Sequence, residues 1–366
     1  MNRFIDIAAP GIAELTPYVP GKPISELERE LGISHSVKLA SNENPLGASS
    51  NVAEAIGRSM SELARYPDGG GHDLRSALGV KHDIDPACIT LGNGSNDVLD
   101  MIARVFLAPG SESLFSQYAF AVYPISSQAA GAKLVVAPAD DYGHDLDAMR
   151  LRISDSTRVI WIANPNNPTG TWLEADELKA FIVAVPENVI VVVDEAYSEY
   201  VAQEAYPDVS QWLKDFPNLI VTRTFSKAYG LAALRVGYGI SHPDVAELLN
   251  RVRQPFNVNS FAQVGALAAL EDQAFIQSSV EANLVGMAQL IDGFESLGLG
   301  YIPSVGNFIT VELGCSGVEI DQALLREGCI ARPVANYGMP THLRVTVGLP
   351  EENQRFLDAL KKVLGR

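Results

Sequence analysis

Cysteine is scarce in this chain. Cys88, Cys315 and Cys329 are the only three in 366 residues, widely spaced and without a CxxC pair. An odd count at such spacing argues against a disulfide framework and suits reduced thiols. Long apolar runs are missing as well, since none approaches the roughly 20 residues that a bilayer demands. The opening MNRFIDIAAPG lacks the apolar core of a signal peptide. Cytoplasm is the expected compartment, with no membrane partner. Basic residues are in deficit, 27 against 44 acidic, for a net charge of −17. Such a balance argues against nucleic acid as a partner, while a small anion needs only a local pocket. The six histidines have no metal-like spacing, and no metal is expected. No GxGxxG opens an early βα turn, which counts against a dinucleotide-binding dehydrogenase.

What remains is an ordinary globular composition, 47% hydrophobic and 19% charged, in a chain long enough for two domains. Residues 1–35 read as an arm. Prolines 10, 17, 20 and 23 interrupt it, and a short helix near residues 25–31 stops at Gly32. From 36 to 250, apolar runs such as Val159-Ile-Trp-Ile162, Val189-Ile-Val-Val-Val193 and Leu219-Ile-Val221 alternate with helical stretches. Continuous apolar strands are those covered on both faces, so the alternation predicts an α/β domain with a mostly parallel sheet. From 251 to 366 the pattern is a smaller α+β domain: a long helical stretch from 262 to 296, then few strands with a helix between them.

In such a sheet ligands gather at the carboxyl ends of the strands, and polar clusters stand where apolar strands end. Gly92-Asn-Gly-Ser-Asn96 leads into a helix, where backbone N–H groups can meet an anion; taken alone it is a turn. Asn164-Pro-Asn-Asn-Pro-Thr-Gly170 is a proline-stiffened loop that also holds amide side chains in fixed places. In Asp194-Glu-Ala-Tyr197 the first acid follows a buried strand. It is either a helix cap or a carboxylate in need of a cation. Then comes TRTFSKAYGLAALRVGYG, residues 222–239, with Lys227 at the end of a strand among Thr222, Thr224 and Ser226, and Arg235 beyond.

One ligand uses all of these groups: an aromatic aldehyde with a cationic ring nitrogen and a phosphate. Lys227 would join the aldehyde, and Asp194 would hold the ring proton. Thr224, Ser226, Arg235 and the Gly94–Ser95 amides would take the phosphate. In His342-Leu-Arg-Val-Thr-Val347, period 2 sends Leu343, Val345 and Val347 to one face and Arg344 to the other, where it could meet an anion.

The motifs NENPLG, RYPD, NPNNPTG, DEAY, SKAYGLAALRVGY and HLRVTVG resemble those of the fold-type I, class II aminotransferases, over roughly residues 10 to 362. The resemblance implies a large domain with a seven-stranded, mostly parallel sheet, a smaller α+β domain, and pyridoxal 5'-phosphate as cofactor. Lys227, Asp194 and Tyr197 are then catalytic. Asn167 and Tyr197 hold the ring 3-oxygen, and Phe120 covers the ring. Gly94, Ser95, Thr224, Ser226 and Arg235 hold the phosphate. Tyr66 reaches the partner subunit's phosphate, which implies a homodimer. The spelling of the two ends resembles the branch that acts on L-histidinol phosphate with 2-oxoglutarate, giving L-glutamate, and assigns Tyr18, Asn42, Arg332 and Arg344 to the substrate. Broad aromatic aminotransfer, an amino-acid-phosphate decarboxylase and a cofactor-sensing DNA-binding regulator remain as alternatives, the last opposed by the short arm and the negative charge.

Overall fold

The computed structural model describes residues 3–18 and 20–366. Its largest sheet has seven strands: β1 (Ile89–Gly92), β2 (Glu112–Ser116), β3 (Lys133–Ala137), β4 (Thr157–Ala163), β5 (Ile190–Asp194), β6 (Leu219–Thr224) and β7 (Gly237–Ser241). They lie in the order β1-β7-β6-β5-β4-β2-β3. Only β7 runs antiparallel to its neighbours, so the sheet is mostly parallel as expected.

The apolar strands are continuous because each face of the sheet has its own core. Ile160, Ile162, Val191, Val193 and Val221 pack on one side with Leu178, Phe181 and Ile182 of the helix Ala175–Ala184. Val159, Trp161, Val192 and Ile220 pack on the other, against Val98, Leu99 and Ile102 of the helix α2 (Ser95–Phe106) and Tyr123 of α3 (Val122–Ala129). Side chains alternate along a strand. Asp194 and Thr222 therefore share the face of Val192 and Ile220, and Glu195 and Arg223 take the opposite one.

The second sheet is antiparallel, with strands β8 (Gly300–Ile302), β9 (Phe308–Glu312), β10 (Arg332–Pro333) and β11 (His342–Thr346) in the order β8-β9-β11-β10. Leu343, Val345 and Val347 are buried with Leu290, Phe294, Phe356 and Leu360, which leaves Arg344 on the other face. The two cores interleave across the expected boundaries at 36 and 251. Leu39 belongs to the smaller core, whereas Ala262, Ala266 and Ala269 belong to the larger. In the arm, α1 (Ile24–Leu31) ends at Gly32 with φ 64° and packs Leu27 against Ala40, Leu325 and Ile330.

The expected long helix from 262 to 296 is two helices, α4 (Ser260–Glu271) and α5 (Gln273–Ser296). Asp272 breaks it. Its carboxylate accepts from the Phe275 N–H at 3.1 Å and from the Ser49 hydroxyl, capping α5 and tying it to residue 49. Among the described residues no helix is long and apolar enough to cross a membrane.

Candidate active site

A cavity of about 400 Å³ opens at the carboxyl ends of β4, β5 and β6. Asp194, the last residue of β5, is buried on its wall. Its Oδ2 accepts from the Tyr123 hydroxyl and its Oδ1 from the Thr222 hydroxyl, each at 2.9 Å. Burial raises its pKa, and those two donors oppose the rise by favouring the carboxylate. A cation entering the cavity would complete its coordination.

Lys227 stands just beyond β6. Its Nζ donates to the Ser41 carbonyl at 3.1 Å and lies 5.6 Å from the centre of the Tyr197 ring. Burial, reinforced by the charge of Arg344 and opposed by Glu43, pushes the amine down to about 7. A substantial fraction is then uncharged at neutral pH, as a nucleophile or a base requires.

Tyr197 Oη accepts from Asn42 Nδ2 at 2.9 Å and from Asn167 Nδ2 at 3.1 Å. Both amides donate, so the phenol keeps its own proton for another acceptor, and burial pushes its pKa up to about 12. Asn167 is fixed in turn. Its Oδ1 accepts from Arg344 Nη1 at 2.5 Å, and the Pro168 carbonyl accepts from Thr310 at 2.6 Å. Within the same loop Asn166 donates to the Tyr118 carbonyl and to Thr169.

Arg344 is only 6% exposed. Its Nη2 donates to the Ala40 carbonyl at 2.8 Å, and its Nε has no partner among the described residues. Burial lowers its pKa, and an anion would relieve that cost. On the neighbouring strand Arg332 is paired in register with Arg344, and its guanidinium lies 5.4 Å from the Tyr18 ring centre. Tyr18 lines the cavity together with Arg344 and Asn42.

The opposite end is a second anion cradle. Gly94 precedes α2 with φ 80° and no side-chain cap, and Ser95 and Asn96 line the cavity. Arg235 Nη1 donates to Ser226 Oγ at 3.1 Å, and the Ser226 N–H donates to Thr224 Oγ1 at 3.1 Å. A Cβ on Gly94 would lie 2.2 Å from Arg235 Nη2, so glycine is what lets the guanidinium sit against the helix start.

Residues 34–360 match the model of the aminotransferase class I and II family. This chain belongs to that family. A histidinol-phosphate aminotransferase 2 of Pseudomonas fluorescens (strain Pf0-1) is 58% identical, covering 100% of this chain and 99% of that protein. A histidinol-phosphate aminotransferase 1 of Nitrosococcus oceani is 55% identical over 99% of this chain and 98% of its own length. Among solved structures, histidinol-phosphate aminotransferase from Sinorhizobium meliloti in complex with pyridoxal-5'-phosphate has a TM-score of 0.88 at 29% identity, covering 96% of both chains. Aspartate aminotransferase from Thermus thermophilus with maleate, 21% identical with a TM-score of 0.83 over 96% of this chain and 98% of its own, shares the fold.

As an enzyme of this family the aminotransferase depends on pyridoxal phosphate, and its residues fit that group. The Gly94 cradle, the uncapped start of α2, Ser226 and Arg235 form a donor set for a phosphate. Asp194, a buried carboxylate on the cavity wall, suits a ring N–H, and Lys227 suits an aldehyde.

Three expected residues are not on the cavity wall in the single chain: Gly94, which adjoins it through Ser95, Tyr66 and Arg332. Tyr66 is 81% exposed and stacks on Phe256 at 4.6 Å, and Arg332 reaches the cavity only through Tyr18. Tyr123, Asn96, Glu43 and Ser41 also line the cavity, and Thr222 bonds Asp194, roles that no motif in the sequence assigns. Thr222 carried a signal, since it stands two residues before Thr224 on the same face of the strand. Tyr123 carried only its place three residues after Phe120, nearly one helical turn away.

Proposed function

We propose that this aminotransferase moves the amino group of L-histidinol phosphate to 2-oxoglutarate, giving imidazole-acetol phosphate and L-glutamate, a step of L-histidine biosynthesis. The carrying observation is a cavity lined by two cationic groups, Arg235 beside Ser226 and the buried Arg344 beside Asn167. Full-length identity of 55–59% to several proteins of that name supports the substrate.

Pyridoxal phosphate supplies an aldehyde that captures the amine and a cationic ring that stores electrons released at the substrate carbon. The chain's residues do the rest. Lys227 would be the group that bonds the aldehyde, and its Nζ, once free, would take the proton from the substrate's reacting carbon. Asp194 keeps the ring nitrogen protonated. Tyr197 and Asn167 would hold the ring 3-oxygen, and Phe120 would pack against the ring. Gly94, Ser95, Thr224, Ser226 and Arg235 bind the cofactor phosphate.

Histidinol phosphate has no carboxylate, so its phosphate takes the charge of Arg344 and Arg332, with Tyr18 and Asn42 on the same wall. The two carboxylates of 2-oxoglutarate use the same guanidiniums, which lets one pocket serve both halves of the reaction. The working unit is a homodimer in the cytoplasm, in which Tyr66 serves the partner's phosphate site.

The deciding experiment is amino-donor specificity of the purified protein with 2-oxoglutarate as acceptor. Histidinol phosphate should exceed phosphate-free aromatic amino acids in kcat/KM by roughly 100-fold, as a buried charged contact allows. Better turnover of phenylalanine or tyrosine would replace this reading with a broad aromatic aminotransferase.

A further inference from the structure

Asp194 is the carboxylate on which the proposed chemistry depends, and what holds it has a source well beyond the cavity wall. Tyr123 lies on α3, wholly buried, with its hydroxyl 2.9 Å from Asp194 Oδ2. Its ring is stacked on Trp161 of β4, centroids 5.2 Å apart and planes 8° from parallel. It also meets Phe120 edge-on at 5.8 Å and 83°. The Trp161 indole N–H donates to Ser113 Oγ of β2 at 2.8 Å, and Ser113 Oγ is 2.7 Å from Ser127 Oγ of α3. On the far side Thr222 of β6 donates to Asp194 Oδ1. These contacts make a row across four adjacent strands, β2, β4, β5 and β6, on one face of the sheet.

Trp161 is pinned at its N–H, and its ring fixes the plane of Tyr123. That leaves the phenol one place to put its proton. Burial and the neighbouring Asp194 raise the Tyr123 phenol well above its ordinary range, so it is a donor at every working pH. A donor facing each oxygen of Asp194 favours the ionised carboxylate over the acid and leaves further lone pairs for one cation.

We infer that Tyr123 is a positioning residue for this reaction: with Thr222 it holds Asp194 ionised and aimed, and so decides that the cofactor's ring nitrogen carries the proton. The inference rests on the proposed pairing of Asp194 with that nitrogen. Without the Tyr123 hydroxyl the carboxylate becomes more basic and competes for the shared proton, and the ring loses its cationic character.

The test uses the loaded enzyme with pyridoxal phosphate labelled with ¹⁵N at the ring, read by solid-state NMR, in the wild type, Tyr123→Phe and Thr222→Val. Both substitutions keep the shape of the side chain and delete a donor. The wild type should show a protonated nitrogen, and both variants a shift towards the unprotonated value. In steady state Tyr123→Phe should lower kcat by about tenfold or more, the effect expected of one hydrogen bond to a charged group, with donor KM nearly unchanged. A protonated nitrogen in all three proteins would overturn the inference while leaving the Asp194 pairing intact. An unprotonated nitrogen already in the wild type would overturn both. Thr222→Val, on a different element, decides the matter if Tyr123→Phe does not fold.

Discussion

Lys227 is charged in the unfolded chain below about pH 10 and largely neutral in the folded cavity above about pH 7. Its folded pKa is depressed, so between those limits the unfolded state binds the extra proton. Stability of the cofactor-free protein should therefore rise with pH across that window, and the cost of the lysine is fully present below pH 7. Lys227→Met should raise the Tm of the cofactor-free protein at pH 6, on the order of 2 kcal/mol of stability because the amine still faces the cavity. The gain should shrink by pH 10; a gain that is equal at both values would show that the amine is not desolvated. Peptide mapping after borohydride treatment of the loaded wild type should find the pyridoxyl label on Lys227, and a label elsewhere would end the assignment. At the other end of the cavity, Arg344→Gln should raise KM for both histidinol phosphate and 2-oxoglutarate, by roughly 10- to 100-fold for a lost charged contact. Labelling of Lys227 should persist in that variant; a KM effect on one substrate alone would contradict a shared pocket. Lys227 and Asp194 were legible because each is a polar residue at or just past the end of an apolar strand, and Arg344 because alternation sets it opposite Leu343 and Val345. Tyr123 was not, since its hydroxyl meets Asp194 only through the placement of α3 on the sheet.

Elements rather than single contacts explain why the phosphate end of the cavity exists. Helix α2 follows Gly94, whose φ of 80° and lack of a Cβ allow Arg235 to lie beside the first turn. Gly94→Ala places a methyl at 2.2 Å from the guanidinium and a side chain where L-residues are strained. Cofactor affinity, followed by absorbance on titration with pyridoxal phosphate, should fall by at least tenfold, the effect of about 1.4 kcal/mol. The far-ultraviolet circular dichroism should stay that of the wild type. Unchanged affinity would mean that Arg235 does not need that approach. Strands β4, β5 and β6 were legible in their apolar cores, though not in their last residues, because burial on both faces makes them uninterrupted apolar runs. The division between α4 and α5 was not. An aspartate inside an amphipathic stretch looks like a solvated position until Ser49, more than 200 residues earlier in the chain, is seen to share its cap.

At the scale of the molecule, the site belongs to neither sheet alone. Arg344 of the smaller sheet donates to Asn167 after β4, Asn42 supports Tyr197, and Thr310 of β9 holds the loop through Pro168. Such ties join residues up to 304 apart in sequence, as from Arg344 to Ala40. Period and composition carry no record of which loop meets which strand, so this joining was legible only through motif resemblance. The same holds for assembly. Met60, Leu63 and Tyr66 lie exposed within one short segment, and Tyr66 stacks on the exposed Phe256. An apolar patch of this kind on an acidic chain is suited to another protein surface, and in the proposed homodimer that surface is a second copy. Assembly and cofactor contact can be separated by two substitutions. Leu63→Asp puts a charge into the patch and should sediment as a monomer at assay concentration, with poor cofactor retention. Tyr66→Phe keeps the stack on Phe256 and should remain a dimer, losing one hydrogen bond to phosphate and hence cofactor affinity by about 1.5–3 kcal/mol. A wild-type protein that sediments as a fully active monomer would remove the homodimer, and with it the role of Tyr66 in the partner's site.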